Sequence, residues 1–265
     1  MSSRLKDAVY GLAVGDALGV PVEFMDRNTF HVTDMTGYGT YNQPKGTWSD
    51  DTSMTIATCD SIRELGKIDC KDIYDKFCRW AFSGEYTPDK VTFDIGNATA
   101  KALRTGKGQD DYYSNGNGSL MRIIPLAFID CGEDAVREVS SITHAHKLSN
   151  DICVKYIAIA KDLLSSKTVK EIVIDYDLSE IVERSVDDVK STGFVVHSFE
   201  AAIWCLANTD NYKDAVLTAV NLGSDTDTVA AITGALAGIV YGFDAIPKEW
   251  IDALRAKDII DACLF

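Results

Sequence analysis

The segment Thr226–Tyr241 constrains this chain more than any other. It reads TDTVAAITGALAGIVY, apolar on nearly every face after its first turn, with Gly234 and Gly238 four residues apart. A helix that is apolar all round has no face to give to water, so it belongs at the centre of a bundle. Glycines at that spacing let neighbouring helices approach closely. The run is too short to cross a bilayer, which takes ~20 apolar residues, and Asp225 and Asp227 stand at its start. The fold must therefore surround this helix and hold an acidic turn at the rim of its core. Helix N–H groups and cations stabilise carboxylates there.

Helical periodicity recurs over 5–18, 51–65, 69–82, 119–129, 133–142, 149–164, 198–207, 212–222 and 248–256. Ser49 or Asp50 is a natural N-cap for the second of these runs, and Gly66 its stop. Strand-like alternation is scarce. Val173-Ile174 is the best short candidate, with Lys170 and Glu171 before it, inside a polar stretch, 166–192, that reads as a surface excursion. With 265 residues, 46% of them hydrophobic, the chain can bury a sizeable core. The expectation is all-α, one domain over 1–265, with functional groups on loops and helix N-termini. The net charge of −14, without a Lys/Arg stripe, argues against nucleic acid as a partner. Seven cysteines lack any C-x-x-C pair and read as small buried hydrophobes in a reducing compartment. Asp7 and Asp16 interrupt the N-terminal apolar stretch, unlike a signal peptide. A cytoplasmic protein with no membrane attachment is expected.

Two acidic clusters lie far apart in the chain: Ser49-Asp50-Asp51 in GTWSDDTSM, and Asp225-Thr226-Asp227-Thr228 in NLGSDTDTVA. Each follows a glycine-containing loop and opens a helical run. Helix capping accounts for one such residue per helix, and each cluster offers three or four. Adjacent carboxylates repel unless a cation intervenes. An all-oxygen donor set suits Mg²⁺, Mn²⁺ or Ca²⁺ far better than zinc or copper. If the fold joins the clusters, they form a metal site in which each half also caps its helix.

Other motifs are weaker. In Asn115-Gly116-Asn117-Gly118-Ser119-Leu120-Met121-Arg122, glycines let the backbone approach a ligand and a helix start suits phosphate, although no Walker lysine follows. A turn with an N-cap explains that segment equally well. Asp16 in GDALG reads as a supporting group, Glu23 as a catalytic carboxylate or a surface acid, and Asp94, in a loop before a helix, as a cap or a base. His144 and His146, two apart, do not share a helical face and make a poor zinc pair.

Together these pieces resemble the ADP-ribosylglycohydrolase family, whose members include the dinitrogenase reductase-activating glycohydrolases. The matching segments are GDALGVPVEF, GTWSDDTSM, FDIGNATAKAL, GNGSLMRIIPLA, THAHKLS, and TGFVVHSFEAAIWCL through NLGSDTDTVAAITGALAGIVYG. They run in family order across nearly the whole chain. The resemblance implies a compact multi-helix orthogonal bundle with two Mg²⁺ ions, Mn²⁺ being the alternative. Ser49, Asp50 and Asp51 would supply ligands from one side, and Asp225, Asp227 and Thr228 from the other. Where the family more often has Thr, this chain has Ser49. Gly116, Asn117, Gly118 and Ser119 would cradle the diphosphate of ADP-ribose, and His144 matches a ligand-pocket histidine. Glu23 and Asp94 match acids with catalytic or substrate-gating roles.

The implied reaction is metal-assisted hydrolysis at the anomeric carbon of the distal ribose. An ADP-ribosylated protein would be the substrate, ADP-ribose the product, and the enzyme a monomer. The F-D-I-G sequence around Asp94 looks more like the arginine-directed branch than the serine-directed one. A metal-dependent phosphohydrolase and a non-catalytic ADP-ribose binder are the competing classes.

Overall fold

The computed structural model describes residues 2–265, and among them the architecture is entirely helical, without a sheet. Thirteen α-helices follow in order: α1 Ser2–Gly19, α2 Asp50–Leu65, α3 Cys70–Ser83, α4 Asn97–Thr105, α5 Glu133–Ser141, α6 Lys147–Leu164, α7 Val169–Asp175, α8 Ser179–Val182, α9 Val195–Ala207, α10 Tyr212–Asn221, α11 Thr226–Tyr241, α12 Lys248–Ala253 and α13 Lys257–Cys263. None is long and apolar enough to cross a membrane.

Helix α11 is the axis, as its sequence demands. Every residue from Thr226 to Ile239 is buried. Its most extensive contact is with α1, and α10, α9 and α6 also pack on it. Small residues drive the α1 contact. A Cβ built on Gly11 would overlap the Gly234 carbonyl, one on Gly15 the Ala230 carbonyl, and one on Gly238 the Asp7 carbonyl. Backbones that touch directly leave no room for side chains, so Gly11, Gly15 and Gly19 on α1 complement Ala230, Gly234 and Gly238 on α11. Tyr212 reinforces the seam by donating its hydroxyl to the Gly11 carbonyl at 2.7 Å.

Helix α2 obeys its sequence signals. Ser49 caps it, and Gly66 ends it in the left-handed conformation, φ 66°. Its buried acid Asp60 receives Lys76 from α3 at 2.7 Å, and Lys76 is itself 1% exposed. That pair fastens α3 to α2.

Two expectations fail. The run 119–129 is not an α-helix: turns lead into a 3₁₀ segment, Ile124–Phe128. Pro125 lacks an N–H, and its ring clashes with the preceding turn, which kinks or breaks an α-helix at a cost of ~3 kcal/mol. The strand candidate Val173-Ile174 lies within α7, where Thr168 and Glu171 form a reciprocal capping box. That T-x-x-E pattern is a helix-start signal stronger than two β-branched residues. The stretch 166–192 lies largely at the surface, as its polarity suggests, and it is helical there. It contains α7, α8 and a 3₁₀ turn, and Arg27 anchors it by donating to the carbonyls of Val186 and Val189.

Candidate metal centre and adjoining cavities

The close α1–α11 seam ends at the acidic residues. A Cβ on Gly19 would overlap backbone atoms of Asp227, and Thr226 donates its hydroxyl to the Gly19 carbonyl at 2.8 Å. One turn earlier, the fully buried Asp16 accepts from the Ser49 N–H at 2.9 Å, the Thr52 N–H at 3.0 Å and the Thr52 hydroxyl at 2.6 Å. The end of α1 therefore grips the starts of both α2 and α11. The two acidic clusters meet there: Thr228 Oγ1 donates to Asp51 Oδ2 at 3.4 Å.

Two groups of carboxylates result. Ligand-type oxygens of Asp16, Asp51 and Asp227 lie within 4.8 Å of one another, as do those of Glu23, Asp94 and Asp227. Asp227 belongs to both, so the groups adjoin. Asp51 and Asp227 are fully buried, whereas Asp50, Asp225 and Thr228 border an adjoining cavity. Asp50 and Asp225 join neither group of three.

The electrostatics are unfavourable as they stand. No Lys or Arg forms an ion pair with any of these acids among the described residues. Burial, then repulsion from neighbouring carboxylates, raises Asp50, Asp51 and Asp227 well above the usual carboxylate range. Burial and the charges of Asp94 and Asp225 push Glu23 up to about 9. Burial takes Asp16 to about 6 against the hydrogen bonds from Thr52 and Ser49. Four buried oxygens of these acids have no hydrogen-bond partner: Glu23 Oε2, Asp51 Oδ1, Asp225 Oδ1 and Asp227 Oδ2.

Orphaned buried acceptors carry a large desolvation cost, and four at one place require a common explanation. All are hard oxygen donors. A divalent cation satisfies such donors and removes the repulsion in one step. The residues present fit a hard cation.

The cavity beside these acids, about 400 Å³, is lined in part by Glu23, Asp50, Asp94, Asn117, His144 and Asp225. Tyr41 donates its hydroxyl to Asp94 Oδ1 at 2.6 Å. Asp94 and Phe24 both hold positive φ, 54° and 64°, a conformation that costs a non-glycine residue ~1–3 kcal/mol. The Phe24 turn is held by its N–H on the Ser224 carbonyl at 2.7 Å. A second cavity of about 570 Å³ shares Tyr113, Gly116 and Gly193 with the first and adds Tyr112, Phe194 and His197.

Several predicted roles change. Ser119 does not line the cavity. It is fully buried, accepting from Ser140 at 2.9 Å and lying 3.5 Å from the Cys153 thiol. Asn117 lines the cavity, but its donors point inward. Its amide donates to Asp225 Oδ2 at 2.8 Å and to Ser198 Oγ at 2.9 Å, and its backbone N–H to the Gly193 carbonyl. Asn117 is thus a strut for Asp225. Gly116, Gly118 and His144 do border the cavity. The segment holding these glycines enters turns instead of a helix; the helix start that borders the cavity is that of α4, from Gly96 to Thr99. Ser49 caps its helix, with its hydroxyl turned to Asp51 Oδ2 at 3.1 Å. Asp225 occupies the N-cap position of α11 without capping it. Asp94 is not a cap, since Gly96 holds that position for α4. Sequence reasoning gave Asp16 only a supporting part and passed over Thr52, Tyr41 and Tyr113. No spacing pattern marks the last two. Thr52 sat in view as the hydroxyl after Asp51.

Comparison with known proteins extends this geometry. Residues 1–264 match the family model described as ADP-ribosylglycohydrolase. The chain is 34% identical to the ADP-ribosylarginine hydrolase Tri1 of Serratia proteamaculans, over 97% of this chain and 76% of that protein. It is 30% identical to the ADP-ribosyl-[dinitrogen reductase] glycohydrolase of Rhodospirillum rubrum, over 96% and 91%. A solved structure described as an ADP-ribosylglycohydrolase-related protein complex superposes with a TM-score of 0.85 at 30% identity, covering 99% of this chain and 95% of that one.

Proposed function

This chain belongs to the ADP-ribosylglycohydrolase family, and from that premise we propose that it releases ADP-ribose from arginine side chains of modified proteins. The observation that carries the reading is the junction of two distant acidic clusters at Thr228 and Asp51, beside a cavity with a glycine-lined wall. Residues 1–265 are read as one domain of this family. The arginine linkage rests on the relative named for it and on the acidic cavity rim, which suits a guanidinium leaving group.

Two Mg²⁺ ions, with Mn²⁺ as the alternative, fit the two adjoining carboxylate groups. Asp51, Asp227 and Thr228 would hold them, with Asp50 and Asp225 from the cavity side and Glu23, Asp94 and Asp16 close by. Bound ions of this kind supply an electrostatic template for ribose hydroxyls and activate water. The chain's own residues do the rest. Tyr41 fixes one oxygen of Asp94 and leaves the other for a proton or for the leaving guanidinium. Glu23 is the second candidate acid, facing the same space. An oxocarbenium-like transition state gains from these surrounding carboxylates. Gly116 and Gly118 let a diphosphate lie close to backbone. The second cavity, ringed by Tyr112, Tyr113 and Phe194, offers π-faces for a planar base.

The test is product analysis with arginine-linked and serine-linked ADP-ribosyl peptides, in Mg²⁺, in Mn²⁺ and in chelator. Free ADP-ribose from the arginine-linked peptide, abolished by chelator, is expected. AMP with ribose phosphate would instead mean pyrophosphate cleavage. Tight ADP-ribose binding without turnover in either metal would mean a binder.

A further inference from the structure

Arg122 is buried completely, yet it meets no carboxylate. Its Nη2 donates to the Val139 carbonyl at 3.2 Å and to Thr143 Oγ1 at 2.9 Å, while Nε and Nη1 have no partner. Its guanidinium sits over the Phe77 ring, 4.6 Å from the centroid. A buried cation held mainly by a ring face and a hydroxyl is an expensive arrangement. Thr143 Oγ1 continues the chain to His144 Nδ1 at 2.8 Å.

Donor counting fixes the direction of these contacts. Arginine only donates, so Thr143 Oγ1 accepts from it. The fully buried Thr143 hydroxyl then needs an acceptor for its own proton, and His144 Nδ1 is the one within reach. If Nδ1 carried the proton, the hydroxyl hydrogen would be orphaned. Nδ1 therefore accepts, and the single proton of the neutral ring sits on Nε2. The main chain that carries the ring is fixed. It is pinned by the His144 N–H on the Ser140 carbonyl and by Gln109, which pairs with Thr143 and Ala145 on either side. Nε2 lies against the glycine loop: a Cβ on Gly118 would stand 3.3 Å from it, and one on Gly116 3.5 Å. It makes no hydrogen bond to any described residue.

The geometry points to Arg122 and Thr143 as positioning residues that commit His144 to the Nε2–H tautomer, an obligate donor aimed at an acceptor oxygen of the bound nucleotide. This deepens the proposed function and rests on it for the ligand, an ADP-ribose-type diphosphate or ribose. Burial, then the charge of Arg122, pushes His144 down to about 3, which keeps the ring neutral. A neutral donor offers an anion one directed hydrogen bond without an ion pair that would slow release.

The first test uses the protein alone. Nitrogen-15 spectra of the imidazoles, with His144 assigned by comparison with H144N among the four histidines, should show a pyrrole-type Nε2 and a pyridine-type Nδ1. The reverse pattern would overturn the proposal. T143V should lose this fixed signature, weaken ADP-ribose binding ~10-fold and raise KM with little change in kcat. T143S, which keeps the hydroxyl, should restore both. A folded T143V with unchanged spectrum and affinity would also overturn it. The spectral arm needs no nucleotide, so failure of ADP-ribose to bind the wild-type protein would sink the substrate reading while the tautomer is still decided.

Discussion

Thr228 Oγ1 donates to Asp51 Oδ2 at 3.4 Å, joining residues 177 positions apart. Each belongs to a separate acidic cluster, and each sits in the first turn of its own helix. The bond is long, and the orphaned Asp51 Oδ1 and Asp227 Oδ2 nearby show where the unmet demand lies. Like charge crowded in a buried space is a load that a cation relieves.

Asp227→Asn tests that load directly. Without metal the variant should melt above the wild type, because one member of a repelling set becomes neutral. With metal the order should invert. A cation at 100 times its Kd stabilises the native state by about 2.7 kcal/mol, and the variant should lose most of that shift together with at least ~10²-fold of turnover. Thermal melts with and without Mg²⁺ read both effects; a wild type that ignores the ion would remove the metal centre.

Asn117 should matter to rate more than to ligand affinity. Its amide holds Asp225 Oδ2 and Ser198 Oγ, not the cavity. Asn117→Ala should lower kcat ~10–100-fold, the usual cost of losing a group that orients a ligand-bearing side chain. If ADP-ribose affinity fell instead with kcat intact, Asn117 would be a nucleotide contact.

The α1–α11 seam should separate stability from function by position. Gly19→Ala and Gly238→Ala both drive a Cβ into facing backbone, and each should cost ~1–3 kcal/mol. Gly19 touches Asp227, whereas Gly238 touches Asp7 at the other end of the pair. Calorimetric titration with Mn²⁺ should therefore find weakened binding in the first variant only. Equal weakening in both would mean that the seam does not position the site.

The Asp60–Lys76 pair sets a pH window for stability. Burial raises the Asp60 carboxyl, but hydrogen bonds from Lys76, Arg63 and Tyr86 outweigh it and hold it below the usual carboxylate range. Its contribution is present above the unfolded value of ~3.9 and is lost as pH falls through the lower folded value. Burial lowers Lys76, but the hydrogen bonds it donates to Asp60 and Glu64 outweigh that and raise it. That contribution is complete below ~10.4 and is lost as pH climbs through the folded value. Asp60→Ala should cost ~1–3 kcal/mol near neutrality, because Lys76 loses its buried partner and keeps only the more exposed Glu64. Urea melts from pH 2 to 8 should show this penalty shrinking at the acid end; a penalty independent of pH would exclude the ion pair as its source.

The sequence determined the helical surroundings of the site more fully than the roles of the side chains in it. The apolar run of α11 required a central helix, and Gly234 and Gly238 announced close packing. The excess carboxylates of both clusters announced a cation. These signals are local, because residue type and spacing fix hydrophobic period, capping and donor hardness. The errors were also local conflicts: Pro125 ended a helix that periodicity continued, and the Thr168–Glu171 box made a helix of a strand-like pair. Only the tertiary structure decided that Asp16 braces Ser49 and Thr52, that the Asn117 amide donates to Asp225, that Ser119 is turned away, and that Arg122 reaches His144 through Thr143. Those roles depend on which way a buried side chain points. Direction is set by the packing of segments distant in the chain, and nothing in the spacing of residues encodes it.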